Sequence, residues 1–357
     1  MTPLKYPYAD AAPLNKLQKV ADNVFWLRVA MPFALDHINL WLIEDDSYWT
    51  VIDTGPDTKE CRQAWQSVIA SQLNNKPIKS VLCTHFHPDH LGLAGWLCQE
   101  NRCDLSISKG EYDIYQQLFS EQALTNVDVE QKQLITDFYQ AIGANAKQAD
   151  SYHKHMAMFA KIIHPLPSHY QRISAGETLT IGQYQWLLVV GIGHSPEHIC
   201  LYCKELDVLI SGDQLLPTIS SNVSVWPNQP NANPMQEMLD SYQQLSEVIS
   251  NNTLVLPAHG LPFYNGVDRL QQLISDTEQD LEKLYLHCAT PTKVNETFTV
   301  LFRKEIGKHN IMLAYGEALA CLNYLIIKQR IRFNVIDGVN HYQQALPATI
   351  CDNNHCD

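Results

Sequence analysis

The sequence has a deficit of positive charge. Its 357 residues include 25 Lys or Arg against 38 Asp or Glu, which gives a formal net charge of −13. Proteins that bind a nucleic-acid backbone or an anionic membrane surface need basic patches to attract the phosphates. The charge balance argues against both, so we expect neither a nucleic-acid partner nor a membrane partner.

Long hydrophobic runs are also lacking. No apolar stretch approaches the roughly 18 residues that a transmembrane helix needs. The first 20 residues are interrupted by three prolines and have no continuous apolar core, so we expect no secretory signal peptide. The ten cysteines then indicate reduced thiols, and we expect a cytoplasmic protein. The oligomeric state is left open.

The pattern along the chain indicates two folded parts. At 45% hydrophobic and 18% charged residues the composition is that of a globular protein, and the length is about twice that of a typical domain. Short strand-like runs alternate with helical stretches, which predicts an α/β fold. Later, three helical stretches, over 269–288, 294–304 and 311–329, precede a hairpin-like segment at Asp337-Gly338, the element order of a winged-helix module. We predict a first domain over 1–266 with a helical insertion at about 110–165, a winged-helix-like domain over 267–346, and a polar tail over 347–357.

The segment THFHPDH contains the most informative motif. It follows the apolar strand Val81–Cys83, so its side chains lie where α/β proteins usually place their sites. His85 and His87 are two residues apart and point to the same side of an extended segment. Asp89 and His90 follow a proline that turns the chain. Four ionisable side chains within six residues would each need a buried partner in a purely structural role, so we interpret them as metal ligands.

Three later strands end in the same way. One potential ligand stands directly after each strand, beside a Gly or Ala that permits close backbone approach: His194 in GHS, Asp213 in SGD and His259 in PAHG. An earlier strand ends in Ile-Asp53-Thr-Gly. We expect Asp53 to hydrogen-bond a ligating histidine rather than bind metal, because outer carboxylates orient such histidines.

Together HFHPDH, GHS, GDQ and PAHG resemble the metallo-β-lactamase-fold hydrolase superfamily, whose mark is H-x-H-x-D-H followed by a downstream His, Asp and His. The IDTG turn matches as well, and the resemblance covers roughly residues 20–265. It implies an αββα sandwich with two central sheets and a dinuclear metal site at their shared edge. A C-terminal module of the kind predicted here occurs in one subgroup of this superfamily, which includes glyoxalase-II-like and lactonase-like relatives.

The resemblance also implies a ligand set. One metal ion would be held by His85, His87 and His194, the other by Asp89, His90 and His259, and Asp213 would bridge the two. These ligand types suit two divalent ions. Zinc is the first candidate, and iron and manganese are not excluded. Since no cysteine stands at a ligand position, β-lactam hydrolysis is disfavoured.

The expected chemistry is hydrolysis by a metal-bridging hydroxide, since two cations lower the pKa of a shared water toward neutrality. Asp89, besides ligating, is the candidate catalytic residue that orients the hydroxide or relays a proton to the leaving group. The substrate class favoured by the resemblance is a small molecule with an ester-like bond, a thioester or a lactone. Two alternatives use the same site: a phosphodiesterase or nuclease, and a single-iron enzyme similar to persulfide dioxygenases.

Weaker signals lie beside these motifs. His198 follows His194 by four residues, and we expect it to support the metal loop. The segment after Asp213 is rich in small polar residues, and Ser220, Ser221 and Asn222 are candidate substrate contacts.

The C-terminal module shows no basic stripe. Residues 268–342 contain nine Lys or Arg and nine Asp or Glu. A DNA-binding module is usually more basic. We therefore expect this module to pack beside the active site rather than to bind DNA.

Overall fold

Two β-sheets form the centre of the computed structural model, which describes residues 3–32, 35–125, 129–303, 306–307 and 310–345. The larger sheet has seven strands in sequence order. Its strands are β1 Leu17–Ala21, β2 Val24–Ala30, β3 His37–Glu44, β4 Trp49–Ile52, β5 Ile78–Leu82, β6 Asp104–Ser108 and β7 Gln171–Ile173. Pairing is antiparallel from β1 to β4 and parallel from β4 to β7.

The smaller sheet has five strands. These are β8 Thr178–Ile181, β9 Tyr184–Gly191, β10 His198–Cys203, β11 Val208–Gly212 and β12 Leu254–Pro257. Strands β8 to β11 pair antiparallel, and β12 joins β11 in parallel. Strands β9, β11 and β12 therefore run in the same direction, and their carboxyl ends lie at one edge of the sheet.

The two sheets pack face to face because alternate residues of their strands are apolar on the inner side. Trp26, Trp41 and Ile52 from the larger sheet share one core with Trp186 and Leu201 from the smaller sheet. All five are at most 1% exposed.

Helices cover both outer faces. Those between the strands are α1 Lys59–Ser71, α2 Pro88–Leu91, α3 Ala94–Asn101, α4 Lys109–Phe119, α5 Glu121–Thr125, α6 Val129–Ala141, α7 Ala146–Ala160 and α8 Pro234–Val248. Helices α1, α3 and α4 pack on the larger sheet, and α8 packs on the smaller one. The predicted αββα sandwich is confirmed, and the predicted helical insertion corresponds to α4–α7.

The C-terminal part begins with α9 Gly266–His287. A short 3-10 helix Val294–Thr297, α10 Phe298–Leu301, α11 Ile311–Ile327 and a hairpin follow. The hairpin pairs β13 Ile331–Ile336 with β14 Val339–Gln344. The order of elements in this C-terminal part is the predicted one, whereas the winged-helix type and the domain boundaries stay predictions. The predicted tail, 347–357, lies outside the described residues.

Helices α9 and α11 share an apolar core with α8 and the outer face of the smaller sheet. This packing places the C-terminal helices against the two-sheet sandwich. Among the described helices, none has the length and apolar composition needed to cross a bilayer.

Candidate metal centre

Seven side chains converge where the strand ends of the two sheets meet. The loop after β5 carries His85 and His87, and the short helix α2, which starts at Pro88, carries Asp89 and His90. The loops after β9, β11 and β12 add the rest. They form two groups, and within each group the candidate donor atoms lie within 4.8 Å of one another: His85, His87, His194 and Asp213, and then Asp89, His90 and His259. These are the seven ligands predicted from the sequence, and the structure brings all of them together.

Several donor-atom spacings match those around a tetrahedral ion, while His85 Nε2 lies 2.8 Å from His87 Nδ1 and 4.0 Å from Asp213 Oδ2. Ligands 2.0–2.2 Å from a tetrahedral zinc ion lie about 3.3–3.6 Å from each other. His194 Nε2 lies 3.3 Å from His85 Nε2 and 3.5 Å from Asp213 Oδ2. His259 Nε2 lies 3.4 Å from Asp89 Oδ2 and 3.4 Å from Asp213 Oδ1. The donor set therefore suits metal ions in both groups.

Asp213 faces both groups. Its Oδ2 atom lies 3.5 Å from His194 Nε2 in one group and 3.5 Å from His90 Nε2 in the other, while Oδ1 lies next to His259. Among the described side chains, Asp213 Oδ1 and His90 Nε2 are buried polar atoms without a hydrogen-bond partner. Burying such atoms unpaired is costly, and a cation shared between the groups would satisfy both.

Outer hydrogen bonds fix the orientation of three imidazoles. In each, Nδ1 faces an oxygen acceptor, which leaves Nε2 free to point into the cluster. The acceptors are Asp53 Oδ2 for His90 at 2.8 Å, the Asn222 carbonyl for His194 at 2.7 Å and the His37 carbonyl for His259 at 3.0 Å. The protein thus sets the tautomer that a metal ligand needs.

Asp53 lies at the centre of one such network. It is 2% exposed and has a left-handed backbone conformation, with φ of 59°. Its carboxylate accepts hydrogen bonds from the Thr84 backbone N–H and hydroxyl, each at 2.8 Å, besides the one from His90. A strained non-glycine backbone at a site is held by such surrounding contacts. The structure therefore places Asp53 beside a candidate ligand, in the supporting position that the sequence predicts.

His198 supports Asp213 directly. Its buried ring accepts a hydrogen bond from the Asp213 backbone N–H at 3.1 Å and stacks on His85 with ring centroids 4.7 Å apart. The ring fits because Gly212 has no side chain: a Cβ there would lie 2.6 Å from His198 Cε1. Gly212 also has φ of 50°, a conformation that favours glycine.

A family model that describes the metallo-beta-lactamase superfamily matches residues 34–260 of the sequence, which include all seven candidate ligands. This chain belongs to that superfamily. A second model, described as the metallo-beta-lactamase-like C-terminal domain, matches residues 281–345. The superfamily predicted from the sequence, and the hydrolase class that goes with it, are thereby confirmed.

Three known proteins illustrate how far the similarity extends. A crystal structure of a beta-lactamase domain protein from Burkholderia ambifaria is 35% identical, with a TM-score of 0.86, and the match covers 96% of this chain and 98% of that one. The probable metallo-hydrolase YqjP of Bacillus subtilis is 26% identical over 250 residues, 68% of this chain and 72% of the relative. A linear primary-alkylsulfatase of a Pseudomonas species is 26% identical over 271 residues, 72% of this chain and 47% of the relative.

In this metallo-beta-lactamase superfamily member, interactions within the site give several candidate ligands the protonation states that favour cation binding. Burial lowers the pKa of His85 well below its ordinary value and that of His87 to about 3. Burial opposes ionisation of Asp89 and Asp213, but neighbouring imidazoles outweigh it and lower the pKa of both carboxyls. Neutral imidazoles beside ionised carboxylates are the forms that bind metal.

His90 and His259 differ from His85 and His87, because neighbouring carboxylates raise their pKa values. Burial favours the neutral form of His90, but the carboxylates of Asp53, Asp213 and Asp89 raise its pKa well above the ordinary value. A cation that binds at His90 Nε2 therefore displaces a proton.

Glu111 is a buried residue at the site that the sequence did not reveal. It lies at the start of α4, is 0% exposed and accepts three hydrogen bonds. Its Oε2 binds the Phe86 backbone N–H at 2.9 Å, while Oε1 binds the Ser195 hydroxyl at 2.6 Å and the Glu197 N–H at 2.7 Å. Burial raises the pKa of Glu111 to about 7. This one carboxyl group ties the loop after β5 to the loop after β9.

The predicted substrate contacts have different surroundings. Ser221 donates a hydrogen bond to the Asp213 carbonyl, and the Asn222 carbonyl accepts from His194. Ser220 is exposed. The first two thus have contacts within the candidate metal centre, and contact of any of the three with a substrate stays a prediction.

Proposed function

We propose that this protein is a dinuclear metal-dependent hydrolase that cleaves an ester-like bond of a small molecule. The observation that supports this proposal most is the arrangement of Asp213, whose carboxylate faces both groups of imidazoles: Oδ2 lies 3.5 Å from His194 Nε2 and 3.5 Å from His90 Nε2, and Oδ1 lies 3.4 Å from His259 Nε2. A carboxylate between two cation sites is the arrangement expected for a shared hydrolytic centre.

The side chains divide the work between binding and proton handling. When bound, two divalent cations, zinc first, would supply an acidified water as nucleophile and positive charge opposite the developing oxyanion. The residues proposed to hold them are His85, His87 and His194 for one, Asp89, His90 and His259 for the other, and Asp213 for both.

Asp89 is the ligand that we assign a second role. Its side chain is 20% exposed, against 11% for Asp213, and its Oδ2 lies 3.4 Å from His259 Nε2. Its pKa is lowered by the neighbouring imidazoles, so at neutral pH it is an ionised acceptor. We propose that it orients the attacking water and passes a proton to the leaving group.

A thioester or a lactone is the substrate class that we propose. The net charge of −13 disfavours polyanionic substrates, which weighs against a nuclease. The similarity to a linear primary-alkylsulfatase adds sulfate esters as a second candidate class. We also propose a reducing, cytoplasmic location, in keeping with the eight described cysteines, which are all free thiols.

Metal analysis followed by a hydrolysis panel tests the proposal. We expect two zinc-like ions per chain and turnover of a thioester or lactone, with β-lactams, sulfate esters and phosphodiesters as comparison substrates. A single iron per chain would instead support the dioxygenase alternative, and turnover of phosphodiesters alone would support the nuclease.

Three variants test the assignment of residues. His85→Ala and Asp213→Ala should remove metal and activity while the chain stays folded, and His287→Ala, at an exposed position on α9, is the matched control. Asp89→Asn tests the proton role: an enzyme that binds both ions and keeps its full kcat would refute it.

A further inference from the structure

The segment between β11 and α8 has no regular secondary structure in residues 213–233, yet it contains a group that orients a candidate ligand. The His194 Nδ1 atom hydrogen-bonds the Asn222 carbonyl at 2.7 Å. A segment without the repeating backbone hydrogen bonds of a helix or strand cannot hold a carbonyl in place by its own backbone pairing. Other parts of the molecule must therefore fix Asn222.

The side chain of Asn222 is held at both ends. Its Nδ2 atom donates to Glu317 Oε2 at 2.7 Å, and its Oδ1 accepts from the Ser224 hydroxyl at 2.5 Å. Glu317 belongs to α11, in the C-terminal part of the chain. A continuous chain of hydrogen bonds therefore runs from α11 through Asn222 to His194.

The backbone of α11 approaches the same loop closely. The Val225 N–H donates to the Gly316 carbonyl at 3.1 Å. A Cβ at Gly316 would lie 2.7 Å from Ser224 Oγ and 2.8 Å from its Cβ, so only glycine permits this approach. Two consecutive residues of α11 thus contact three of the four residues in 222–225.

We propose that Glu317 is a positioning residue through which the C-terminal part of the chain orients His194. The Glu317 carboxyl oxygen fixes the side-chain amide of Asn222. The fixed side chain holds the Asn222 backbone carbonyl in place, and that carbonyl sets the tautomer and direction of the His194 imidazole. Loss of such an outer partner typically lowers metal affinity about 10- to 100-fold. This inference rests on the proposed function, since it assumes that His85, His87 and His194 bind a metal ion.

Metal titration of the full-length protein tests the inference. The metal-free protein is titrated with Zn²⁺ against a chromophoric chelator, and with Co²⁺ to follow the absorption of each site. We expect Glu317→Ala and Glu317→Leu to weaken one of the two sites about 10- to 100-fold and to leave the other unchanged. Glu317→Gln keeps an acceptor oxygen of the same reach, so it should stay within about threefold of wild type.

Asn323→Ala is the matched control on the same helix. Asn323 donates to the Pro230 and Ala232 carbonyls at 3.0 and 2.9 Å, at the far end of the same loop. Its loss should lower stability and leave both metal affinities unchanged. If Glu317→Ala does not fold, Ser224→Ala removes the other hydrogen bond to the Asn222 side chain and should weaken the same site.

The outcomes separate this inference from the proposed function. Wild-type protein that binds two ions, with equal affinities in Glu317→Ala, would overturn the inference and leave the proposed function intact. A loss in Glu317→Gln as large as in Glu317→Ala, or an equal loss in Asn323→Ala, would also overturn it. Wild-type protein that binds no metal would refute both.

Discussion

Replacing Glu111 by Gln tests whether this buried carboxyl group holds together the two loops that carry candidate metal ligands. The wild-type carboxyl presents an oxygen to the Phe86 N–H on one side and an oxygen to the Glu197 N–H on the other. Glutamine has nearly the same shape but only one acceptor oxygen, and its second end is an NH₂ donor. One of the two backbone N–H groups must then face another donor.

The structure gives the size of the effect. A buried donor that loses its partner costs about 1–3 kcal/mol. Glu111→Gln orphans one backbone N–H, so we expect its free energy of unfolding to fall by about 1–3 kcal/mol. Glu111→Ala leaves both backbone N–H groups without an acceptor and should lower the free energy of unfolding by about 2–6 kcal/mol, before any cavity left by the missing side chain is counted.

Urea unfolding of the metal-free proteins measures these differences, and metal titration of the same samples shows whether the ligands move apart. Ser195→Ala is the control: it removes a donor, leaves no backbone N–H unpaired, and should cost only about 0.5–1.5 kcal/mol. A Glu111→Gln protein within about 0.5 kcal/mol of wild type at pH 4.5, where we expect the wild-type advantage to be largest, would refute the reasoning, because that is the range of ordinary surface substitutions.

Four further predictions concern pH, backbone, core and metal. Burial raises the pKa of Glu111 from 4.5 to about 7, so its stabilising contribution is present below pH 4.5 and is lost as pH rises through 7. The stability advantage of wild type over Glu111→Gln in urea unfolding should shrink by up to about 3 kcal/mol from pH 4.5 to 8. Gly212→Ala should lower the midpoint of thermal unfolding, at a cost above about 1 kcal/mol, because its φ is positive and His198 occupies the space of a Cβ. Asn39→Ala should cost at least about 1–3 kcal/mol in urea unfolding, because it orphans the buried Trp26 Nε1–H. Chelation should lower the thermal midpoint, since an ion at 100 times its dissociation constant stabilises the fold by about 2.7 kcal/mol.

The ligand positions could be predicted because the signal is local. The HFHPDH motif packs four candidate ligands into six residues, and His194, Asp213 and His259 each follow an apolar strand directly. Parallel strands place such residues at one sheet edge, so a pattern of strand ends is enough to bring them together.

Two other supporting carboxyl groups, unlike that of Asp53, could not be predicted in this way. Glu111 and Glu317 are glutamates on helices, and in sequence they resemble ordinary solvent-facing residues. Their partners are loop groups, among them the Phe86 N–H and the Asn222 amide, that are far away in the chain. Such long-range contacts leave no periodic or motif signal, and only the packed structure reveals them.

The same contrast applies to the helices. The pattern over 311–329 predicts α11 to within two residues, because the run is long and apolar over nearly its whole length. The run predicted as helical over 294–304 contains, in its described part, a 3-10 turn followed by a single α-helical turn. Helices this short are decided by tertiary packing rather than by periodicity.

The distribution of the donors along the chain has a consequence for the order of folding. Four of the seven candidate ligands lie within residues 85–90, but Asp213 and His259 reach the same edge only after the smaller sheet has formed and packed on the larger one. Contacts between such distant segments require the entropic cost of closing a long loop before they stabilise the chain, so they form late. A newly made chain can offer a metal ion the first four ligands early, but the complete set exists only after the sheets have joined. Full loading would therefore mark a chain that has finished folding, and ions bound at this edge would oppose separation of the two sheets.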